Sequence, residues 1–281
     1  MTINKSRIYT FTAAAAVLFV FFGIAFADKF FTGPFFDKES ITGGTWLHWL
    51  MLILIPVAGY LQAEKLGDED HLIELSASGG TEGQAEDPKL WRLIMGNSHF
   101  AILWLPFRFF LGSEWISAGE GKIRDAGWMK GGQSLLGYWN NAVAIPEADS
   151  GRRPAITYDW FRDFLNYMID HEWYTWFAKL VAVGEFMIGL GLIVGALVGI
   201  AAFFGSLMNM SFMLAGTTST NPVLFGMTVF LILGWKVAGY FGIDRWLLPA
   251  LGTPWGRLDR DDAARTDTTT TVGGRPARSG I

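Results

Sequence analysis

The sequence predicts an all-α fold: a polytopic membrane helix bundle of about six transmembrane helices. Three observations predict it. Of 281 residues, 51% are hydrophobic and only 17% are charged, against roughly 25% charged in an ordinary soluble domain. Apolar runs of about 20 residues, the length that crosses roughly 30 Å of hydrocarbon, recur along the chain. Thirteen Trp and 23 Phe suit aromatic belts at the two lipid–water boundaries.

The first run is Ile8–Ala27. Lys5 and Arg7 precede it and Ala25-Phe26-Ala27 follows the small-x-small pattern of a cleaved signal, but the run is long for a signal's apolar region, so it reads as a retained helix. The second, Trp46–Ala63, contains Pro56, and the two together make a 1–64 unit. The third is His99–Ala118. Trp176–Ala215 is about twice the spanning length, and Gly195 to Gly199 supply a turn near its middle, which divides it into a fourth and a fifth span. The sixth is Val223–Phe241.

The connections differ in character. The 65–98 loop is acidic (Asp68, Glu69, Asp70, Glu74, Glu82, Glu86, Asp87), has a Gly-rich stretch at Ser76–Gly83 and carries a short amphipathic piece at Leu90–Ile94. The 119–175 segment is rich in Trp and Tyr, with a helical part at Tyr158–His171, and reads as a layer on the membrane surface or over the bundle. The 243–281 tail is polar and, from Asp259 on, has the composition of a disordered segment. With six spans both termini share one side, together with Lys5, Arg7, Lys65, Lys89, Arg92, Arg245, Arg257 and Arg260. The short loop opposite has Lys29 and Lys38, so the termini and the acidic loop are expected in the cytoplasm and 119–175 outside.

The chain has no Cys, which excludes disulfides, thiolate metal sites, Cys-held iron–sulfur clusters and a Cys nucleophile. A net charge of −4 without a basic stripe does not point to nucleic acid. No His spacing marks a metal site, so no metal is expected. The expected surroundings are membrane lipid.

Ionisable groups at membrane depth are costly and mark function by default. Arg108 in the third span, Glu185 in the fourth and Lys236 in the sixth stand out. Counted from the expected outer ends, Arg108 and Glu185 both lie roughly 15 Å deep, so a salt bridge between them is expected. It reads either as a lock between helices or as a functional pair, with Glu185 a proton acceptor near a quinone and Arg108 an anion anchor. Glu114 and Lys122 share a helix face, and Asn209 falls near the height of Glu114. With Arg124 they form a candidate binding cluster suited to a small oxyanion. Lys122 and Arg124 also read as interfacial anchors, and Lys236 as a partner of a lipid headgroup or of Glu185.

Arg108-Phe-Phe-Leu-Gly112, followed by Trp115, Gly119 and Lys122, resembles the R-x-x-L-G…G-x-x-K signature of the DoxX/DoxD-like membrane proteins. Glu185-Phe-Met-Ile-Gly189 and the glycines after it resemble the second helix of that family, and Asn209 and Asn221-Pro222 are similar too. The likeness covers about Phe100–Gly242, and the order of motifs is closest to the large, DoxD-type subunit of thiosulfate:quinone oxidoreductase. It implies a four-helix core at 99–242 that passes electrons from thiosulfate to membrane quinone, giving tetrathionate, beside a small partner subunit. On that likeness Arg108 and Glu185 are the candidate catalytic residues, Lys122, Arg124, Glu114 and Asn209 the substrate-binding ones, and quinone the acceptor. Two other classes stay open: a non-catalytic scaffold of a larger respiratory or photosynthetic complex, and a small-anion transporter.

Overall fold

The computed structural model describes residues 2–73, 87–147 and 149–253. Among the described residues its regular elements are helices apart from one two-stranded ribbon. The elements are β1 (Thr2–Ile3), α1 (Lys5–Phe26), α2 (Trp46–Leu66), β2 (His71–Leu72), α3 (Lys89–Gly96), a 3-10 helix (Ser98–Trp104), α4 (Leu105–Arg124), α5 (Ala126–Met129), α6 (Gln133–Val143), α7 (Asp159–Asp170), α8 (Tyr174–Val194), α9 (Val198–Leu214), α10 (Asn221–Leu233), α11 (Trp235–Ala238) and α12 (Asp244–Ala250).

By length and composition, α1, α2 and α8 are long and apolar enough to cross a membrane; α9 and α10 are apolar but shorter. Large side chains such as Val17, Ile24, Ile53, Met187 and Phe203 point outward from these helices, as expected of a surface that meets hydrocarbon. α1 starts where Asn4 Oδ1 accepts the Arg7 N–H at 3.0 Å, an N-cap. α2 runs through Pro56 without ending and closes on α1 where Gly59 lies against Thr12. Below them β1 pairs antiparallel with β2, Thr2 opposite Leu72, and Lys5 Nζ bridges Asp68 at 2.8 Å and Glu64 at 3.3 Å. No sequence pattern points to this ribbon, whose strands are two residues each.

Four expected elements differ. The third span starts as the 3-10 helix and becomes α-helical at Leu105, with Pro106 in the first turn, where its missing N–H costs nothing. It then continues to Arg124, well past the expected end at Ala118. The sixth is broken: α10 stops at Leu233 and α11 starts at Trp235, with Gly234 between them packed against the Trp104 ring where a Cβ would not fit. The 65–98 loop has structured ends in β2 and α3, and the 243–281 tail starts with α12. Glu74, Glu82, Glu86, the Ser76–Gly83 stretch and Asp259–Ile281 lie outside the described residues.

The turn expected at Gly195 is present. Gly195 ends α8 in the left-handed conformation, φ +69°, which only Gly adopts freely. Buried Asp244 then caps α9, accepting the N–H groups of Leu197 at 2.6 Å and Val198 at 2.9 Å. The main core is built from α1, α2, α4, α8, α9 and α10, with Phe19, Met51, Phe110, Leu192 and Leu231 among its buried members. In a second core, α6 buries Leu135, Trp139 and Ala142 and α7 buries Phe161, Leu165 and Met168. Both sets follow helical spacing, and they roof one end of α8 and α9.

Candidate functional site

The site is positioned by the antiparallel pair α4 and α8, which touch backbone to backbone. A Cβ on Gly119 would lie 2.3 Å from Phe186 N, and one on Gly189 would lie 2.4 Å from Ile116 N and 2.7 Å from the Gly112 carbonyl oxygen. Small residues allow such an approach, and these contacts set the register. Residues 119–122 therefore stand level with Glu185, and Arg108 stands level with the C-terminal end of α8.

That register overturns the expected Arg108–Glu185 bridge. Arg108 is fully buried. Its guanidinium donates to four main-chain carbonyls: Leu192 at 2.9 Å, Ile193 at 3.1 Å, and Ala238 and Phe241 at 3.0 Å each. Two of these lie in the last turn of α8, where a cation also meets the negative end of the helix dipole. Gly195 makes room: its missing Cβ would sit 2.2 Å from Arg108 Nη2. Arg108 thus ties three chain segments together and points away from any anion site. The expected depths were misjudged because α4 runs on past Ala118 to Arg124.

Glu185, itself buried, pairs instead with Lys122, Nζ to Oε2 at 2.6 Å. Lys122 also lies 5.2 Å from the centre of the Trp128 ring, a cation–π contact. Arg124 is drawn elsewhere, to Glu120, with Nη2 2.7 Å from Oε1. The Glu120 carboxylate also accepts the N–H groups of Ile41 and Thr42 at 2.8 Å and the Ser40 hydroxyl at 2.9 Å, and bonds the Thr42 hydroxyl. Burial opposes its ionisation, yet these bonds outweigh burial and hold its pKa down at about 2. Arg124 and Glu120 therefore anchor the 40–42 loop. Lys236 is exposed on α11 and makes no pair with Glu185.

Four of the six candidates do converge. A cavity of about 310 Å³ is lined by Glu114 and Lys122 of α4, Glu185 of α8 and Asn209 of α9. Asn209 is fully buried, and neither its amide nitrogen nor its amide oxygen has a hydrogen-bond partner. An unpaired buried polar group costs roughly 1–3 kcal/mol, so a residue that lines the cavity carries two such unmet atoms. Glu114 and Lys122 both reach this cavity from α4, and Asn209 reaches it from α9.

Other lining residues were not foreseen as site residues: Trp128, Tyr138, Thr217 and Thr220. Tyr138 and Thr217 share a 2.8 Å hydrogen bond between hydroxyls. Burial raises the Tyr138 pKa above its ordinary 10.0, against the lowering effect of the Thr217 bond, so the phenol keeps its proton at neutral pH. The only sequence signal was the polar run Thr217–Asn221 between two apolar helices. No family model, no curated protein and no solved structure matches the chain.

Proposed function

We propose that this chain is a quinone-binding membrane subunit of an oxidoreductase, with the quinone ring in the cavity at Asn209. The carrying observation is the unpartnered Asn209 amide on the wall of a cavity that also holds an ion pair. A quinone carbonyl accepts a hydrogen bond and a quinol hydroxyl donates one, so an amide with both a donor and an acceptor serves both redox states. Reduction of a quinone takes up two electrons and two protons. Glu114, which also lines the cavity, and the Lys122–Glu185 pair are the groups placed to pass those protons.

The electron donor read from the family resemblance is thiosulfate, two molecules giving up two electrons to form one tetrathionate. Arg108 and Arg124 are engaged elsewhere, and Glu185 offsets the charge of Lys122. The cavity thus has no net positive field for a dianion, and we assign the thiosulfate-handling groups to a partner subunit. Absence of that cationic cluster also weighs against the small-anion transporter.

The six-span reading belongs to the same proposal. The spans would be α1, α2, the 3-10 helix with α4 as far as about Ala118, α8, α9, and α10 with α11, which leaves Glu120 to Arg124 beyond the third span. The 17 residues of α9 reach about 26 Å, close to the hydrocarbon thickness. Both termini then lie on the cytoplasmic side of the cell membrane, and α5 to α7 lie outside, over the cavity.

The test is thiosulfate-dependent reduction of a decyl-quinone by the solubilised chain, alone and with co-purified partners, with quinone binding followed by Trp quenching. Asn209→Leu removes an unpaired buried amide. It is expected to keep or raise the melting temperature while weakening quinone binding by about tenfold, one to two hydrogen bonds' worth. A folded wild-type chain that binds no quinone, or an Asn209→Leu variant that binds it normally, overturns the proposal.

A further inference from the structure

A second hollow adjoins the polar cavity and differs from it in chemistry. It is a groove of about 480 Å³ between α8 and α9, roofed by α6 and α7. Its walls are almost wholly hydrocarbon and aromatic, among them Phe164, Leu180, Met187 and Leu207. Both hollows fall in the roughly 300–1,000 Å³ range of small-molecule sites. They are adjacent, because Tyr138 and Phe212 line both. The Tyr138 hydroxyl bonds Thr217 on the polar side while its ring also faces the groove.

The groove also opens sideways. Leu180, Met187 and Leu207 are each at least half exposed, and so are or nearly are their apolar neighbours Val183, Phe203, Phe204 and Met210. A soluble ligand would gain nothing from this route. A molecule already dissolved in hydrocarbon could slide in through it and carry a polar head to Asn209.

We infer that the ligand of this site is an amphiphile with a long hydrocarbon tail, which enters from the bilayer and lays that tail in the α8–α9 groove. This rests on the quinone reading and narrows it to the tailed, membrane-dissolved quinones. The head meets the Asn209 amide and the Lys122–Glu185 pair, and the tail passes Tyr138 and Phe212 into the groove. The roof formed by α6 and α7 covers the junction between head and tail.

Gly184 allows a clean test. It lines the groove, and a Cβ there meets only Met208 Sδ, at 4.0 Å, so a larger side chain fills the groove without moving the backbone. Binding to the full detergent-solubilised chain is measured by Trp quenching for two probes. One is dimethoxy-methyl-benzoquinone, which has no tail; the other is the same ring with a decyl tail. Gly184→Phe is expected to weaken the tailed probe by about tenfold or more, the usual scale of an overpacked site. The tailless probe should stay unchanged, and Gly184→Ala should bind both probes as the wild type does. Met187→Trp, at the exposed groove edge, gives the same comparison if Gly184→Phe does not fold. Equal effects on the two probes, or none on either, overturn the tail assignment and leave the ring site standing. A phospholipid that co-purifies with the wild type and is lost from Gly184→Phe, with quinone binding intact, makes the groove a structural lipid site and also overturns it. Failure of both probes to bind the wild type removes the quinone reading itself.

Discussion

Replacing Arg108 separates a structural from a catalytic role. Its guanidinium is fully buried and satisfies four carbonyls. Arg108→Met keeps much of the length and removes every donor. A buried carbonyl left unpaired costs roughly 1–3 kcal/mol. The low end of that range, applied to the four carbonyls, gives about 4 kcal/mol. At roughly 2–4 °C per kcal/mol for chains of this order of size, the melting temperature should fall by roughly 10–15 °C. Arg108→Lys keeps the charge but not the planar fork that reaches separated carbonyls, and should fall between. The assay is thermal unfolding in detergent, read by size-exclusion recovery after heating. If Arg108→Met melts within about 2 °C of wild type and loses only turnover, Arg108 belongs to the chemistry and the structural account is wrong.

Lys122→Met should destabilise the chain by about 3–5 kcal/mol, since it strands the Glu185 charge in a buried site; the double variant Lys122→Met/Glu185→Met should recover most of that loss in the same unfolding assay, and additive losses would dissolve the pair. The Glu120 carboxylate, held below its ordinary 4.5 at about 2, contributes stability that is full above about pH 4.5 and fades as pH falls toward 2. Hydrogen exchange at Ile41 and Thr42, corrected for intrinsic rates, should accelerate over that window and, in Glu120→Gln, already at pH 7; unchanged protection would show that the loop is held by something else. Gly119→Leu should prevent stable folding or cut recovery of the monodisperse chain sharply, because its Cβ would sit 2.3 Å from Phe186 N; wild-type recovery would mean α4 and α8 are not in direct backbone contact.

Several features were legible from residue order alone. Apolar runs of spanning length marked α1, α2 and α8 because a helix rises 1.5 Å per residue whatever surrounds it. Gly195 marked the α8–α9 turn because a left-handed residue is a local demand. The amphipathic pieces at Leu90–Ile94 and Tyr158–His171 were visible as α3 and α7 for the same local reason. The face shared by Glu114 and Lys122 follows from helical spacing, and both residues do reach the cavity.

Pairings across helices were not legible. Whether Glu185 meets Arg108 or Lys122 depends on how far α4 slides along α8, and no count along either helix contains that offset. It is set by Gly112, Gly119 and Gly189, whose missing side chains let two backbones touch at one register only. The same tertiary contacts carried Arg108 to the ends of α8 and α11, took Arg124 to the 40–42 loop, and left Asn209 unpaired on a cavity wall. Sequence by itself determined which segments are helical and apolar, because those properties are local. Only the tertiary structure decided which buried charges are satisfied, because that depends on the relative placement of separate helices.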